Sequence, residues 1–160
     1  KNKSMSEEYI DKCLSVFKIY LKLMKQLGNK FNLHTKWELD RELFPRPLPE
    51  LWLERKDASE DELDYVVDIF APFTPTWLLR RRIRQYEDFS DESDYATEHV
   101  LFIAQNDSTE RRLLSLTSEA YLDFNFFITQ QELLLNSDDG KVWIGSEEYD
   151  EEEIERVKLS

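Results

Sequence analysis

The chain is short of the residues on which metal, redox and phosphate chemistry usually depend. It has one cysteine, Cys13, so no disulfide can close within it, and a reducing interior compartment follows. Its two histidines, His34 and His99, lie far from each other and from Cys13, which leaves no zinc-ligand spacing. Three glycines, Gly28, Gly140 and Gly145, are too scattered for a loop that cradles phosphate. Asn136–Gly140 resembles a calcium loop only superficially. With Gly140 in the glycine position, Leu135 and Ser146 would stand where ligands are needed, and a hairpin turn accounts for the segment. No apolar run reaches the roughly 18 residues that span a bilayer, and the N-terminus has no signal-peptide core. The expectation is an intracellular, cytoplasmic protein with no cofactor, no metal, no catalytic residues and no membrane partner. The chain begins at Lys1 rather than Met, as an excised fragment does.

What is present is apolar weight and negative charge. A chain of 160 residues, 41% hydrophobic and 13% aromatic, can bury a core, and residues 1–160 read as one domain. The net charge of −13 is unevenly spread. Residues 1–46 carry ten Lys/Arg against six Asp/Glu, whereas residues 47–160 carry eleven against twenty-eight. Such a field keeps a protein soluble, repels nucleic acid and favours basic partners.

Apolar spacing organises the chain. Ile10, Cys13, Leu14, Phe17, Tyr20, Leu21, Met24 and Leu27 recur at helical intervals and predict a helix from Ser6 to Leu27. A capping box at Ser4–Glu7, or equally Ser6 as the cap, opens it and Gly28, in a left-handed turn, stops it. Phe17, Leu21 and Met24 are expected in the core with Cys13 beside them, so that Phe17→Ala would cost about 3–5 kcal/mol. Pro45, Pro47 and Pro49 break any helix and suggest an ordered connection. A capping box at Ser59–Glu62 predicts a second helix through Phe70, and Thr74-Pro75 a third, ending near Glu87. The third turns Trp77, Leu79, Ile83 and Tyr86 inward and Arg80, Arg81 and Arg84 outward. Those arginines lie between two clusters of six carboxylates, Asp57–Asp68 and Glu87–Glu98, so internal pairing is expected rather than nucleic-acid binding. An acidic loop follows over 89–94.

The pattern then becomes extended. His99–Ala104 and Arg112–Thr117 read as strands joined by a turn at Asn106-Asp107-Ser108, and Leu122, Phe124 and Phe126 alternate with polar residues. Asp138-Asp139-Gly140 turns into a last strand, Lys141–Gly145, and residues 150–158 predict a short acidic helix. Helices followed by strands predict an α+β fold with a mostly antiparallel sheet.

Leu48-Pro49-Glu50-Leu51-Trp52, His99–Ala104 and Gly140-Lys141-Val142-Trp143 before an acidic segment resemble motifs of the SUKH superfamily. The resemblance implies an immunity-type protein that neutralises a toxin, or an interaction scaffold, and carries over no binding residue. Independently, Glu147–Glu155 holds seven carboxylates around Tyr149 and Ile154. Glu148, Tyr149, Asp150, Glu152 and Glu155 are the candidate contact residues for a basic protein partner, with carboxylates steering and Tyr149 anchoring. The expected function is a non-enzymatic acidic interaction module, of which inhibitors and immunity-type proteins are instances. The alternatives are a structural subunit whose apolar surface is covered in a complex, and a carboxylate-dependent enzyme. Oligomeric state stays open.

Overall fold

A computed structural model describes residues 3–57, 63–92, 98–120, 122 and 124–159, with the side chains of α1 from residue 7 onward. The elements run α1 (Lys3–Leu27), β1 (Phe31–Thr35), a 3-10 turn (Lys36–Glu38), β2 (Leu51–Arg55), β3 (Tyr65–Ile69), α2 (Thr76–Glu92), β4 (His99–Ala104), α3 (Asp107–Thr117), β5 (Phe126–Gln130), α4 (Gln131–Asn136) and β6 (Ile144–Gly145). The fold is α+β, with an N-terminal helix followed by a sheet. The six strands lie in chain order, β1 to β6. The outer pairings are antiparallel, but β3, β4 and β5 run parallel, with Val66 beside Val100 and Val100 beside Phe126. Parallel neighbours need crossovers, and α2 and α3 supply them. Two crossovers that step the same way with the same hand land on one face of the sheet.

Alternation along the strands divides the core into two layers. Val66, Val100, Phe102, Phe126 and Ile128 meet Leu79, Ile83 and Tyr86 of α2 and Leu113 and Leu114 of α3. On the other face Tyr65, Val67, Leu101, Ile103, Leu51 and Leu53 meet Ile19, Leu23 and Leu27 of α1 and Leu134 of α4. Burying each such side chain contributes about 1.5–3 kcal/mol. Among the described residues no helix is long and apolar enough to cross a membrane.

Several elements differ from the sequence expectation. Tyr65–Ile69 form strand β3 where the sequence predicts a helix through Phe70, because Tyr65–Asp68 are buried on both sides of the sheet; Ser59–Glu62 lie outside the described residues. Arg112–Thr117 belong to helix α3, whose N-cap Asn106 accepts the Thr109 N–H at 2.9 Å. Residues 107–108 are thus its first turn rather than a hairpin. The segment 150–158 is irregular, not helical. Helix α2 continues to Glu92 through the expected loop, of which residues 93 and 94 lie outside the described residues, and Trp77 is 61% exposed. Helix α1 turns a different face inward. Ile19, Leu23 and Leu27 are buried, whereas Phe17, Leu21, Met24 and Cys13 are exposed. Gly28 does follow the helix, but as a close approach rather than a left-handed residue. A Cβ there would stand 2.3 Å from the Met24 carbonyl oxygen.

Candidate functional site

Phe127 and Asn125 stand at the amino end of the parallel strands, beside the short edge strand β6. There the chain leaves Gly145, runs through an acidic loop and returns. Its return is fixed by three contacts. Trp143 and Val157 exchange backbone hydrogen bonds at 3.1 and 2.6 Å. The Arg156 guanidinium donates to both carboxylate oxygens of Glu110 at 2.9 and 3.1 Å, and to the Val142 carbonyl at 2.8 Å. Leu159 then enters the core. Inside the loop the Asp150 carboxylate accepts the Glu152 N–H at 2.9 Å, a local turn that replaces a helix.

The loop encloses a concavity of about 430 Å³ lined by Glu147, Glu148, Asp150, Glu153 and Glu155. Phe127, Gly145 and Val157 supply its apolar wall. The Asn125 amide donates to Glu147 at 3.0 Å and holds it at the rim. A lysine or arginine side chain fits this combination, with its stem on Phe127 and Val157 and its head among the carboxylates. Among the described residues no cluster of three or more His, Cys, Asp or Glu has the geometry of a metal site.

Of the five residues nominated from sequence, the fold brings Glu148, Asp150 and Glu155 into the concavity. Glu152 is exposed elsewhere on the loop, and Tyr149 packs against the α2–α3 side of the core. Burial raises the Tyr149 phenol, and the negative charge of Glu151 adds to the effect. Glu147 and Glu153 are additional members. Arg156, which ends the acidic run, was the overlooked signal, since one base after seven acids invites an internal partner.

The opposite end of β3 carries a second groove, of about 380 Å³, between the 45–50 connection and α2. Its acids are already engaged. Glu50 takes Lys12 at 3.0 Å and Lys36 at 3.5 Å. Asp68 takes Arg82 through two hydrogen bonds of 2.7 and 3.0 Å, and Arg82 also donates to the Pro47 carbonyl and the Tyr86 hydroxyl. Burial and the Asp68 charge act oppositely on Arg82, and the net shift is upward; burial raises Tyr86 well above its ordinary value. So one arginine of the cluster pairs internally, and it is Arg82. Arg80, Arg81 and Arg84 are exposed and make no ion pair among the described residues. The histidines are also occupied. His34 lies between Glu38 and Glu54 at 3.2 and 3.3 Å, and His99 Nδ1 accepts the Asn125 N–H at 3.0 Å.

Compared with protein families, curated proteins and solved structures, the chain matches none.

Proposed function

We propose that the protein is a non-enzymatic interaction module whose acidic concavity receives a lysine or arginine side chain from a basic protein partner. The observation that carries the reading is the five-carboxylate wall around Phe127 and Val157, held open by a loop tied at both ends. A tethered loop is pre-organised, so less ordering entropy opposes binding than for a free acidic tail. Occlusion of a partner's basic side chain is what an inhibitor or immunity-type protein would achieve, in line with the class that the SUKH resemblance implies. The carboxylates of the second groove, Glu50 and Asp68, are consumed in ion pairs, which supports a structural role for them. A second reading, a subunit whose apolar surface is covered in an assembly, draws on a separate observation. Six large apolar side chains of α1 face solvent.

An amide NMR titration with a short Lys/Arg peptide tests the first reading. Shifts should concentrate on Phe127, Gly145 and Val157, and Glu153→Gln/Glu155→Gln should weaken the peptide several-fold. Shifts spread evenly over all acidic surface would reduce the concavity to bulk charge.

A further inference from the structure

Tyr9, Ile10, Leu14, Phe17, Leu21 and Met24 project from α1 into solvent, each 41–60% exposed. From Ile10 the spacing is four, three, four, three, the alternation of a coiled-coil seam. At about 100° per residue this stripe lies well away from Val16, Ile19, Leu23 and Leu27, which hold the helix to the sheet. The helix therefore carries two apolar faces, and one has no cover among the described residues. At roughly 200 Å² for a large apolar residue, the five residues from Ile10 to Met24 expose about 500 Å². Two copies would bury about 1,000 Å² through these five residues, the size at which a specific interface begins.

Charge along one flank of the stripe selects the occupant. Glu7 and Asp11 occupy its first half, and Lys18, Lys22 and Lys25 its second. None of the five has an ion-pair partner among the described residues. Lys18 and Lys22 are four apart on the helix, where like charges repel. An antiparallel copy answers both features. It lays seam on seam and sets the acidic half of each helix against the basic half of the other. The two registers that keep the seam in contact place Asp11 against Lys18 or Lys25 of the second copy. A parallel copy would leave this flank facing Cys13, Tyr20 and Leu27, without charge to meet.

We propose that α1 is a homodimer interface, pairing antiparallel with α1 of a second copy through Ile10, Leu14, Phe17, Leu21 and Met24. The inference deepens the assembly reading and is independent of the acidic concavity, whose peptide titration reads other residues. Sedimentation equilibrium of the full chain, loaded from about 1 to 300 µM, should show the mass rising from 19.3 kDa towards twice that value. Leu21→Glu should stay monomeric with an unchanged far-UV spectrum, because its site is exposed in the protomer. Should that variant fail to fold, Asp11→Lys, on the polar flank, carries the test. It should weaken the dimer several-fold, and adding Lys18→Glu and Lys25→Glu should restore it. A wild-type chain that remains at 19.3 kDa throughout would overturn the proposal and leave the face to a different partner. An unchanged dimer in Asp11→Lys would overturn the antiparallel arrangement.

Discussion

Replacing Arg156 by alanine removes the tie of the acidic loop without touching any of its carboxylates. Glu110 is 5% exposed and its carboxylate accepts two N–H groups from Arg156, the only other hydrogen bond to it among the described residues being from the Gln130 amide at 3.0 Å. Arg156→Ala leaves that carboxylate buried beside one neutral donor. Breaking a buried pair from one side costs about 3–5 kcal/mol. The Arg156 side chain is 26% exposed, so water partly screens the loss, and about 3 kcal/mol is expected. In urea, with about 1–3 kcal/mol per molar for a small domain, the midpoint should fall by roughly 1–3 M. Converting the pair to neutral groups, Glu110→Gln/Arg156→Met, should recover most of the stability. Amide exchange at Trp143 and Val157 should accelerate more than in the central strands. Peptide binding should weaken even though the variant is more acidic, because the wall loses its shape. An Arg156→Ala midpoint within error of wild type would refute the pinned-loop account, and unchanged peptide binding would show that charge alone suffices.

Three further outcomes follow from the packing and the electrostatics. Leu23→Ala should cost about 2–5 kcal/mol by thermal or chemical unfolding, since Leu23 is wholly buried, whereas Phe17→Ala should cost under about 1 kcal/mol of protomer stability at dilute loading. Arg82→Ala should destabilise by about 3–5 kcal/mol because Asp68 stays buried and unpaired, while the adjacent Arg81→Ala should stay within about 0.5 kcal/mol; comparable losses at both sites would contradict the assignment. Burial pushes the Glu98 carboxyl from 4.5 up to about 7, and the Asp64 charge adds to it against a backbone hydrogen bond. The folded state therefore holds the proton more tightly, so this contribution, up to about 3 kcal/mol, is full below pH 4.5 and lost as pH rises through 7. Burial and Arg55 depress His99, which acts oppositely by losing stability as pH falls below 6.5, so the wild-type minus Glu98→Gln difference isolates Glu98. That difference should decline between about pH 5 and 7, and a flat one would remove Glu98 from the balance.

The sequence alone determined those elements whose side chains report one environment. His99–Ala104 is a strand in the fold at the limits its apolar run predicts, because a strand covered on both faces needs no periodicity to be seen. Leu79, Ile83 and Tyr86 likewise mark the inner face of α2, since the other residues of that helix are mostly polar. Composition also located the acidic run and three of the carboxylates that line the concavity.

Tertiary structure alone decided what depends on neighbours distant in sequence. Helix α1 carries two apolar stripes, and nothing local says which one the sheet covers. The longer stripe is the regular one, yet Ile19, Leu23 and Leu27 are the residues that reach β2, β3 and β4. Tyr65–Ile69 is too short for its period to separate strand from helix, and pairing with β2 and β4 settles it. The concavity exists because Asn125, just before β5, and Phe127 within it meet a loop about 20 residues later, and because Arg156 crosses to Glu110 on α3. Charge count is a property of the chain. The shape that presents the charge is a property of contacts, and those form only when the sheet closes.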